Sequence, residues 1–67
     1  MARLDTSPRL DDPDALFAAL MEVHRGLSPD ASRRLDARLI LLLANHIGDA
    51  AILAEAIAAA RAAGDDG

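Results

Sequence analysis

Residues 35–49, LDARLILLLANHIGD, hold the densest run of large apolar side chains in the sequence and stop at an Asn-His-Ile-Gly-Asp turn signal. At a helical rotation of about 100° per residue, Leu35, Leu39, Ile40, Leu42, Leu43, His46 and Ile47 spread over roughly 160° of arc, wider than one packing partner covers. Such a helix needs two neighbours. Leu41 falls outside the arc, beside Ala37 and Asp30, where a lone chain would expose it.

The rest of the chain has little material from which to supply those neighbours. Its 67 residues make room for one domain, and a domain of this size buries only roughly 60% of the surface its unfolded chain exposes. Small domains are commonly completed by disulfides, a metal, oligomerisation or very regular helix packing. Cysteine is absent, which removes disulfides, cysteine-based zinc sites and redox motifs, and fits a reducing compartment. With one Phe and no Trp or Tyr, the core has to be built from aliphatic side chains.

Helix boundaries are written in capping residues. Residues 1–11 are polar and contain Pro8, so a flexible lead-in is expected, with Leu4 and Leu10 available to pack down as latches. Asp12-Pro13-Asp14 reads as a cap, a proline in the first turn and an acid at the positive end of the helix dipole. The first helix is expected at about 13–25, ended by Gly26 in the left-handed conformation. On it Leu16, Leu20, Val23 and Leu27, with Phe17 and His24 beside them, form one apolar stripe.

Ser28-Pro29-Asp30 repeats this start grammar, predicting a second helix at 29–47 that stops at Gly48. So short a connection makes an antiparallel hairpin. Asp49 caps a third helix at about 50–63, closed by Gly64 and followed by an acidic tail at 65–67. Ile52, Leu53 and Ile57 share a face with alanines, which allow close approach of another helix and have high helix propensity. The expected fold class is all-α: three short antiparallel helices with two-residue turns, one helical domain over 12–64, completed by oligomerisation.

Charge and motif exclude most function classes. The formal net charge is −4 and every cation is an Arg, scattered rather than clustered, so no nucleic acid is expected as partner. A helix-turn-helix reading would use Arg33, Arg34 and Arg38, but the recognition helix then continues as LILLLA. No apolar segment follows Arg3 and Arg9 as in a signal peptide, and positions 39–44 fall far short of the about 20 apolar residues of a membrane span. A cytoplasmic protein without a membrane partner is expected.

Chemistry-bearing residues have plain structural readings. Asp11, Asp12, Asp14 and Asp30 stand at helix starts, Ser7, Ser28 and Ser32 lack a nucleophile elbow, and the glycines read as helix stops, so no enzyme, catalytic residue or cofactor is expected. His24 and His46 lie roughly 15 Å apart along the hairpin, too far to share a metal within one chain. A metal- or small-ligand-binding protein using His24 or His46 remains an alternative. Asp36 lies near the same end of the hairpin as His24, which points to a structural polar pair that raises the His24 pKa. Asn45, His46, Gly48 and Asp49 all have capping explanations.

LDDPDALFAAL at 10–20, HRGLS at 24–28 and above all LDARLILLLANHIGD at 35–49 resemble the bacterial DUF2783 family, whose function is unknown. The resemblance runs from Leu10 to Ala63 and implies no catalytic residue. It does imply that Asp36 departs from an Asn usual in the family, and that the chain could be an accessory subunit docking on a larger metabolic enzyme, such as a flavin-dependent oxidoreductase. The residues themselves point first to a homodimer or higher homo-oligomer. Its expected interface is Leu39, Ile40, Leu41, Leu43 and Ile47 on the second helix, with Ile52 and Ala56 on the third.

Overall fold

A computed structural model describes residues 3–64, and these contain three α-helices and no strand. They are α1 (Pro13–His24), α2 (Pro29–Ile47) and α3 (Ala50–Ala63). The acidic tail at 65–67 and the first two residues of the lead-in lie outside the described residues. Each helix starts where a side chain can accept its unpaired N–H groups. The Asp12 carboxylate accepts from Ala15 N at 3.0 Å, Ser28 Oγ from Ala31 N at 3.1 Å, and Asp49 from both Ala51 N and Ile52 N at 3.0 and 3.1 Å.

Helix stops follow from backbone handedness. Gly26 and Gly48 have φ of +78° and +67°, a region closed to most residues with a Cβ. Gly48 N also donates to Ala44 O at 2.9 Å, closing the last turn of α2. One boundary differs from expectation. Helix α1 ends at His24 because Arg25 turns to an extended conformation, φ −60° and ψ +129°, while its N–H bonds to Glu22 O. The connection to α2 is therefore residues 25–28 rather than a two-residue turn, whereas α2 and α3 are joined by residues 48–49 alone.

The chain divides into two compact units. One is Ser7–Ile40, holding α1 and the first part of α2; the other holds α3, α2 from Leu41 onward and, among the described N-terminal residues, 3–6. In the first, Leu20 and His24 of α1 and Ala31, Ser32, Leu35 and Leu39 of α2 are half-buried. In the second, Leu4, Ala44, Asp49, Ile52, Leu53, Glu55 and Ala56 are half-buried, and Arg3 Nε reaches Glu55 Oε1 at 3.1 Å. Leu4 thus packs down as the sequence suggests. Leu10 does not: it is exposed, because residues 7–11 form no helix that would turn it inward.

No described residue, apolar or polar, is fully buried. Helix formation here is well specified by caps and propensity, while the burial that stabilises most helices in proteins is partial in all three.

Candidate functional site

Two features separate themselves from ordinary helix surface: an uncovered apolar length of α2, and a histidine held at both ring nitrogens. The first begins as α2 leaves its charged first half. Asp30, Arg33, Arg34, Asp36 and Arg38 lie before Leu39, and from there to Ile47 the helix has no acid and no arginine. Ile40, Leu41, Leu42 and Leu43 are consecutive and all exposed. Four consecutive positions at about 100° per residue point to every side of a helix. A helix apolar all round belongs in an interior.

The exposures rank the residues. Leu42 and Leu41 are 69% and 68% exposed and Ile57 of α3 is 71% exposed, while Leu43 and Ile47 retain about half their surface. Of the residues expected to form an interface, Ile40, Leu41, Leu43 and Ile47 are exposed, whereas Leu39, Ile52 and Ala56 are half-buried within the chain itself. Sequence reasoning passed over Leu42, because it lies inside the arc assigned to the core, and Ile57, because it shares a face with alanines. The unbroken run LILLL was the signal for Leu42. Helix α1 also leaves Phe17 and Met21 exposed on one flank of its apolar stripe and Leu16 and Val23 on the other.

The second feature is built by the last turn of α1 and the second turn of α2. His24 Nδ1 lies 2.6 Å from the Leu20 carbonyl oxygen, one turn back, and Nε2 lies 2.6 Å from Asp36 Oδ1. Both oxygens are acceptors. Both hydrogen bonds form only when each ring nitrogen carries a proton, that is, on the imidazolium. The bond to the Leu20 carbonyl raises the His24 pKa most, the Asp36 hydrogen bond and its charge raise it further, and partial desolvation opposes them. The His24 side chain is 27% exposed and that of Asp36 53%. While both nitrogens are protonated and so engaged, His24 has no free lone pair for a metal or for base catalysis.

The remaining candidates take separate places. His46 is exposed in the last turn of α2, near the carbonyl end of the dipole. Asp49 is occupied as the α3 cap. Arg33 pairs with Asp30 and Arg25 with Glu22, each three residues away along the chain. Among the described residues no group of His, Asp and Glu could hold a metal ion, and no helix is long and apolar enough to cross a membrane.

Comparison with known proteins gives one positive finding. The family described as protein of unknown function DUF2783 matches residues 4–62, nearly the whole chain, and the chain belongs to that family. No curated protein and no solved structure matches it.

Proposed function

We propose that this DUF2783 member is a homo-oligomeric helical interaction module whose association surface is the apolar second half of α2 with Ile57 of α3. The single observation that carries the reading is the exposure of Ile40, Leu41, Leu42 and Leu43 on all sides of one helix. A second copy is the fitting occupant, because this stretch is uncharged and so complements its own kind. A closed symmetric assembly also gives this stretch the same cover in each copy.

Magnitudes limit the form of the assembly. Covering the exposed parts of Ile40, Leu41, Leu42, Leu43, Ile47 and Ile57 is worth roughly 7 kcal/mol per copy, at about 2 kcal/mol per fully buried aliphatic side chain. Two copies contribute about 14 kcal/mol against an association cost of about 4–15 kcal/mol. Covering only one side of α2 halves that contribution to about 7 kcal/mol, inside the range of the cost, so fuller cover favours assembly. The stable arrangement is a bundle in which neighbouring copies surround the helix, and exposed apolar surface of this extent has that kind of role in small domains.

Sedimentation equilibrium over about 1–100 μM tests the reading. The expected mass is a multiple of 7.0 kDa, and Leu42→Glu, which places a charge in the middle of the surface, shifts it to that of one chain. A wild-type mass of 7.0 kDa over the whole range, with a cooperative thermal transition that does not depend on concentration, overturns it.

A further inference from the structure

We propose that the His24–Asp36 contact is a proton-operated clasp, holding α1 against α2 while His24 is an imidazolium and letting the two helices loosen when it loses a proton. Three observations on the unit Ser7–Ile40 support this. First, both ring nitrogens sit at 2.6 Å from oxygen acceptors, so loss of either proton sets a nitrogen lone pair against an oxygen lone pair and removes one of the two bonds, and in either neutral tautomer the charge attraction between His24 and Asp36 across the two helices is lost. Second, the contact links the end of α1 to a residue well inside α2, twelve positions along the chain. It therefore constrains how the helices lie on one another and not merely the turn at 25–28. Third, neither helix buries any side chain fully, so few other contacts compete with it.

The charged neighbours leave Asp36 as the group that answers the proton. On α1, Glu22 is engaged with Arg25 at 3.2 Å, and on α2, Arg33 is engaged with Asp30. In the connection, Ser28 Oγ is used as the α2 cap. The folded His24 pKa is raised by its two hydrogen bonds, which fixes the direction of the switch. Its stabilisation is complete below the unfolded value of about 6.5 and is lost as pH rises through the higher folded value. Acid tightens the clasp and alkali weakens it. What it controls is the setting of the exposed α1 pair Phe17 and Met21, one turn apart on the helix.

The test uses the full-length chain in two measurements. Proton NMR titration of the His24 ring is expected to give a midpoint above the ordinary histidine value of about 6.5, falling toward it in Asp36→Asn. Thermal melts followed by helical circular dichroism are compared at about pH 6 and about pH 9 for wild type and Asp36→Asn at matched concentration. The wild type is expected to melt higher than the variant at the lower pH, with the gap lost at the higher. His24→Gln, which carries no titrating ring, replaces Asp36→Asn if the latter fails to fold. A His24 midpoint at or below the ordinary value, or a gap between wild type and variant that is equal at both pH values, overturns the proposal. The NMR midpoint reads the contact directly, and matched concentration keeps the effect of association alike for wild type and variant in the melts.

Discussion

Arg3 Nε and Glu55 Oε1 lie 3.1 Å apart across 52 positions of sequence, fastening the N-terminal segment to α3 within one compact unit. Arg3 is largely exposed and Glu55 one-third so, which places the pair among ion pairs worth about 0.2–1 kcal/mol and weakened by salt. The adjacent Leu4 is half-buried, and partial burial of a leucine is worth about 1 kcal/mol or more. Leu4→Ala is therefore expected to cost more stability than Arg3→Ala in urea denaturation. Only the Arg3→Ala effect should fade when salt is raised; equal salt sensitivity of the two would count against this ordering.

The two aspartate caps should not be equal. Asp49 accepts from two backbone N–H groups and is half-buried, while Asp12 accepts from one and is exposed. Substituting a cap by alanine costs about 0.5–2 kcal/mol, and the arrangement assigns Asp49→Ala to the upper part of that range and Asp12→Ala to the lower. Helical ellipticity against urea for the two variants measures the order. Asp49→Asn, which keeps an oxygen acceptor, should recover most of the loss.

Gly48 stands in the left-handed region with φ +67°, and a Cβ added there would meet Asn45 O at an ordinary 3.7 Å. Space is thus available, and the cost of a side chain comes from backbone conformation alone. Gly48→Ala is expected to lose about 1–2 kcal/mol, and Gly48→Asn less, since Asn tolerates this conformation better. Equal loss in the two variants would show that contact rather than conformation governs the turn.

Caps made most of the fold legible. Asp-Pro-Asp, Ser-Pro-Asp and Gly-Asp fix where α1, α2 and α3 begin, because only a few side chains satisfy free N–H groups while proline presets the first turn. The end of α1 is one residue early because sequence does not show which residue before Gly26 will leave the helical region. The His24–Asp36 geometry follows from helical phase, since His24 in the apolar stripe of α1 and Asp36 in that of α2 are the titratable residues of those stripes near the turn. What could not be read was cover. Periodicity says which side a residue is on, but not whether a neighbour lies there, and so Leu42, on the expected inner arc, is among the most exposed residues while Leu39, three positions before it, is half-buried. Leu10 fails to latch for the same reason: apolarity alone does not bring a side chain to a surface.

The difference between Leu39 and Leu42 supplies the last prediction. Leu39 is already half-covered within one chain, whereas Leu42 is 69% exposed, so removing them should act on different equilibria. If copies of the chain complete one another, Leu42→Ala weakens association and Leu39→Ala weakens the hairpin inside each copy. Because assembly stabilises only the folded chain, wild-type melting temperature should rise with protein concentration. Leu42→Ala should lower the melting temperature most at high concentration, where the wild type is fully assembled, and little where it is dissociated. Leu39→Ala should lower it at every concentration, by a loss within the about 2–5 kcal/mol range of leucine-to-alanine changes and nearer its lower end because cover is incomplete. Melts followed by circular dichroism across about a hundredfold range of concentration separate the two patterns. Parallel, concentration-independent losses in both variants would mean that Leu42 is covered by its own chain and that the apolar ring of α2 has no partner.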